Sequence, residues 1–156
     1  MQFEVAENCM TCHGLAHPNL KADDLAKMLG AGHPINTDFE LVKYSQGSVR
    51  HRHYPPDIKT NAEMTPQELA NIYAVGQAAA LVSATEAMSK SSEEKYKEAQ
   101  KKRVEIAKGA LSGISEASGL LAAPTRQNAL SFVKSIAGKD LTGAVGSKLP
   151  AKSDYK

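Results

Sequence analysis

Five residues near the start of the chain, Cys9-Met10-Thr11-Cys12-His13, constrain it more than any other stretch. Cysteines at i and i+3 on a helix lie on one face about one turn apart, and here an imidazole follows the second thiol directly. A structural zinc on Cys9, Cys12, His13 and His17 usually takes a second pair of ligands far along the chain, and there are no further cysteines. A thioredoxin-like pair needs a strand before it and a long helix after it. The residues after Cys12 are instead His13-Gly14-Leu15-Ala16-His17-Pro18, which break a helix within about two turns.

The reading these residues favour is covalent attachment of a porphyrin. Both sulfurs then reach the two vinyl groups along one ring edge, and His13 comes under the iron as its proximal ligand. The pentapeptide and the adjoining Gly14 resemble the haem-binding motif of c-type cytochromes. The resemblance implies a single covalent haem c on Cys9 and Cys12, one-electron exchange with redox partner proteins, and attachment on the outer side of the bacterial cytoplasmic membrane. It thereby implies a periplasmic or extracellular location. Met1 to Asn8 has neither the basic start nor the apolar run of an export signal, so Met1 is read as opening a trimmed mature chain.

Composition agrees without deciding. There are 19 basic and 17 acidic residues, a balance that gives no argument for nucleic acid or for an anionic membrane surface. No stretch approaches the roughly 18 to 20 apolar residues of a spanning helix. The apolar mass is mainly aliphatic, with no tryptophan, so a buried haem would supply much of the missing bulk.

The expected fold class is all-α: small cytochrome c-like helices wrapped on one haem, then a long hairpin-like helical extension. Residues 1–90 are the expected haem domain, 91–138 the extension packing on it, and 139–156 an irregular tail. Phe3, Ala6 and Met10 share one face of a first helix over 3–13, and a second runs from Ala22 to Leu29 with Gly30 as its left-handed stop. Thr37-Asp38-Phe39-Glu40 fits a capping box for a third helix to about Ser45. Thr65-Pro66-Gln67-Glu68 is the clearest helix start, leading to about Met88 with Leu69, Ile72, Tyr73, Gly76, Ala79 and Ala80 as a narrow small-residue face. Another long helix is expected from Ser91 to about Leu121. Its lysine- and glutamate-rich first half reads as mostly solvated, with one buried stripe through Tyr96, Ala99, Ile106, Ala110, Ile114, Ala117 and Leu121. The last helix is expected from Pro124 to about Ala137, closed by Gly138, with Leu130, Val133 and Ile136 inward.

The sixth iron position decides function, because a second strong ligand favours electron transfer and a vacancy permits gas binding. His33, held between Gly32 and Pro34, is the preferred distal ligand, and the Gly-His-Pro turn resembles distal loops of bis-histidine cytochromes. His53 and His51 are the alternatives, on an extended strap that ends in Pro55-Pro56; Arg50 and Arg52 on the same strap suit haem propionates. His17 also suits a propionate. Met64 lies immediately before a helix, as the distal methionine does in class I cytochromes c, but the chain departs from that pattern by running on far beyond it. Cytochromes c′, four-helix bundles with a vacant sixth site, carry their haem motif near the C-terminus, unlike this chain. The alternatives to a free electron carrier are a haem-based gas binder or sensor with a displaceable sixth site, and a docking subunit of a larger redox assembly. The C-terminal helices are the candidate surface for homo-oligomerisation. No paired carboxylates and no nucleophile with a base stand out, so an enzyme is not expected.

Overall fold

The longest helix sets the architecture. In the computed structural model, which describes residues 3–47 and 63–156, α4 spans Pro66–Lys90 and every residue from Ile72 to Val82 is buried. Its start is the expected box: Thr65 Oγ1 accepts from the Glu68 amide, Glu68 Oε2 accepts from the Thr65 amide, and Pro66 takes the first turn. Its alanine-rich middle, Ile72 to Val82, is apolar on nearly every side, so it becomes the central post rather than presenting the one narrow face expected. Leu69, placed on that face, is only half-buried.

Around α4 pack α1 (Phe3–His13), α3 (Leu41–Ser45), α5 (Glu94–Leu111), α7 (Arg126–Ser135) and α8 (Thr142–Val145). A Cβ on Gly76 would lie 2.9 Å from Leu41 Cδ1, so a glycine there lets α3 approach the post closely. One apolar core runs from Phe3 to Val145, and a smaller cluster of Leu15, Leu25, Ala26, Ala87 and Tyr96 seats α2 (Ala22–Gly30) against the far end of α4 and α5. The described residues are all-helical, and no helix among them is long and apolar enough to cross a membrane.

Several local expectations need correction. The stop of α2 is Gly32, not Gly30. Gly32 has φ +94° and its amide donates to Leu29 O, while the His33 amide donates to Met28 O, the paired bonds of a Schellman closure. The third helix begins at Leu41, capped by Glu40, whose carboxylate accepts from the Val42 and Lys43 amides at 2.8 and 2.9 Å. That capping replaces the Thr37 box. The long helix from Ser91 breaks at Ser112-Gly113 and resumes as a 3-10 turn at Ser115–Ala117 and α6 (Ser118–Ala122). Ile106, assigned to its buried stripe, is 40% exposed. In α7, Ala129, Phe132 and Ile136 face inward while Leu130 and Val133 are half-buried; Gly138 does close the segment, with φ +75°.

Residues 139–156 are not irregular. Leu141 and Val145 enter the main core, and Lys148 Nζ donates to the carbonyls of Gly109 and Ala110, capping the end of α5. The last residue is tied in as well, the Lys156 amide donating to Lys43 O at 2.9 Å.

Candidate functional site

Helix α1 seats one face on the core. Phe3, Ala6 and Met10 are buried against α4, Cys9 is half-buried at the edge of the core, and Cys12 and His13 are exposed. Neither cysteine is in a disulfide. Burial pushes the Cys9 thiol above its ordinary pKa.

His13 ends the helix and lies flat on Phe39, ring centroids 3.9 Å apart and planes inclined by 4°. Tyr44 closes the group, 4.8 Å from Phe39 and 5.9 Å from His13. Lost solvent on the covered side pushes His13 below the ordinary histidine pKa, which favours the neutral imidazole with a free lone pair. The loop from Gly32 to Phe39 is fastened here, since the Asn36 amide donates to His13 O at 3.3 Å and its side chain donates to Tyr44 OH at 2.6 Å.

The turn after His13 carries backbone strain and a polar clamp. α1 closes with the Leu15 amide on Cys12 O and the Ala16 amide on Thr11 O, which places Leu15 at φ +47°. A left-handed position of this kind ordinarily goes to glycine. The glycine is instead one residue earlier. A Cβ on Gly14 would lie 2.3 Å from Arg103 Nη2, so that position must be bare for a guanidinium to lie against it. Three α5 side chains spaced four and three apart grip the turn. Tyr96 OH donates to Leu15 O at 2.6 Å, Gln100 Nε2 donates to Gly14 O at 3.0 Å, and Arg103 Nη1 donates to Gly14 O at 3.2 Å. Arg103 also donates to Gln100 Oε1, Ser83 Oγ and Met10 Sδ. It is 4% exposed, burial lowers its pKa to about 10, and among the described residues all its hydrogen-bond partners are uncharged.

None of the other described candidates belongs to the ring group of His13, Phe39 and Tyr44. His17 is half-buried, its Nδ1 accepting from the Asn19 amide, and it lines a cleft of about 450 Å³ with Glu7 and Thr11 on the other side of α1 from Cys9. His33 is exposed, with Nδ1 2.9 Å from Pro34 O. Met64 packs against the main core beside Leu69 and Tyr155. Arg50, His51, Arg52 and His53 lie outside the described residues. Among the described residues no three of His, Cys, Asp and Glu gather to hold a metal ion, so Cys9, Cys12, His13 and His17 do not converge as zinc ligands would.

The donor set does fit a covalently attached porphyrin. Two thiols outside any disulfide lie one turn apart, Cys9 at the edge of the core and Cys12 exposed, where they can bond at separated points along a ring edge, and an imidazole whose pKa is lowered comes directly after them. Sequence reasoning missed Gln100 and Arg103, and it took Phe39 for a helix residue rather than the ring beneath His13. The only signal for the clamp was the four-three spacing of Tyr96, Gln100 and Arg103 within a lysine-rich stretch. No protein-family model, curated protein or solved structure matches this chain.

Proposed function

We propose that the chain is a single-haem c-type electron carrier working outside the cytoplasmic membrane, with thioether links at Cys9 and Cys12 and His13 as the proximal ligand. The observation that carries this reading is the pairing, at the end of one short helix, of two thiols outside any disulfide with an imidazole directly after them. When bound, the haem supplies a one-electron ferric–ferrous couple.

The protein's own part is to hold that helix end still. Phe3, Ala6 and Met10 fix the rotation of α1 against the core, and Phe39 fixes the plane of the His13 ring. A ligand ring locked in this way keeps its geometry in both oxidation states, so little reorganisation accompanies transfer. His33 is proposed as the distal ligand, with His53, His51 and Met64 as its alternatives; the loop that carries it is fastened to the His13 carbonyl through Asn36. Arg50 and Arg52 are proposed for the propionates.

Spectroelectrochemistry of the chain matured in a haem-attaching host tests the proposal. A reversible one-electron couple with a low-spin, six-coordinate oxidised spectrum is expected, and His33→Ala should convert it to a high-spin form that binds carbon monoxide when reduced. A six-coordinate bis-nitrogen signature that survives His33→Ala would remove His33 from the iron. A wild-type protein that binds carbon monoxide without any substitution would favour the gas-binding alternative, and one with no reversible couple would refute the function.

A further inference from the structure

Arg103 is an anomaly. A guanidinium is among the side chains least often buried without a counter-charge, yet this one is 4% exposed and its partners among the described residues are neutral atoms. Ordinary core packing would be served as well or better by an apolar chain of similar length. Its position is specific. It donates to the Gly14 carbonyl immediately after His13 and to the Met10 sulfur one turn before it, so it spans the inner side of the peptide that bears the imidazole. Gly14 gives up its side chain to admit it, and Leu15 takes the left-handed position that glycine would otherwise fill.

We propose that Arg103 acts on the iron site through its charge, a permanent positive charge set behind His13 that makes a haem on Cys9 and Cys12 easier to reduce. This rests on the haem reading above. The sign comes from Coulomb's law: oxidation adds a positive charge to the iron, and a fixed cation across the helix opposes it. The size of the effect follows if an iron held by His13 lay about one helix width from the guanidinium, roughly 10 Å. At an effective dielectric of about 20, a unit charge at that distance shifts the ferrous-to-ferric ratio about tenfold. The clamp's uncharged members hold the turn without contributing to this field, Gln100 on the Gly14 carbonyl that Arg103 also reaches and Tyr96 on Leu15 O.

The test is the midpoint potential of the haem-loaded full chain in wild type, R103M, R103Q and R103K. The two neutral variants are expected to keep the wild-type oxidised spectrum, and so its ligation, while the ferrous-to-ferric ratio at a given poise falls about tenfold, ~59 mV for one electron. R103K, which keeps the charge but not the fork, should stay within about threefold of wild type. Using both neutral variants guards against one of them failing to fold. A folded neutral variant with an unchanged spectrum and the wild-type potential overturns the proposal. So does an R103K that falls as far as the neutral pair, because the effect would then belong to the shape of the clamp. Wild-type protein that matures without covalent haem overturns the haem reading itself, and that result is visible before any variant is made.

Discussion

The two long helices that pair at the centre of the molecule differ in what their buried residues do. Between Ile72 and Val82, α4 buries mostly alanine and aliphatic side chains on every side, whereas α5 buries one stripe, apolar from Val104 to Leu111 but carrying Tyr96, Gln100 and Arg103 in its first part. The first is a volume-filling post whose partners need only match its shape. The second is a directional element whose hydrogen bonds single out two carbonyls, Gly14 O and Leu15 O, directly after the candidate haem ligand. Stability therefore sits mainly on α4 and local geometry on α5. The turn that ends α1 is held by α5, while the body of α1 packs on α4.

The largest expected effect tests the α4 half of that comparison. Leu81 is fully buried, so Leu81→Ala should lower unfolding free energy by about 2–5 kcal/mol in urea titrations. A loss under about 1 kcal/mol would mean that the post is loosely packed. Next comes the α5 half. Tyr96→Phe keeps the ring and removes the bond to Leu15 O, and a loss of about 1–2 kcal/mol is expected. If Tyr96→Phe instead matched Leu81→Ala, the distinction between filling and directing helices would fail. Thr65→Ala probes the α4 start alone and should cost about 1 kcal/mol, leaving the spectrum of a loaded haem unchanged.

The smallest effect lies beyond the end of α5, where the Lys139 ammonium and the Ser115 hydroxyl hold the Glu116 carboxyl down to about 2. A depressed carboxylate stabilises the fold above its ordinary pKa of 4.5 and loses that contribution as pH falls toward 2. The difference in melting temperature between wild type and Glu116→Gln should accordingly be small near neutrality and vanish by about pH 2. A difference that grew on acidification would reverse the assigned sign.

How legible each region is in sequence tracks the same division. α4 announces itself through Thr65-Pro66-Gln67-Glu68 and an unbroken apolar run, because capping and burial are local properties of side chains. The motif on α1 is equally local, as is the inward set of Phe3, Ala6 and Met10. The buried face of α5 is not, since a lysine and an arginine in a charged helix look alike until the carbonyl that one of them reaches is known. Gly30 and Gly32 are separated only by which carbonyls the next amides meet. Leu141 and Val145, four apart in a polar tail, carried a helical signal that the surrounding glycines and lysines obscured.

The central claim is that α1 carries a haem through two thioethers. The most direct test is the mass of the denatured, haem-matured chain, compared with Cys9→Ala/Cys12→Ala prepared in the same host. Wild type should carry the mass of one haem through denaturation, and the double variant should carry none. Wild-type protein at the mass of its bare polypeptide, from a host that matures a control cytochrome, would contradict the claim.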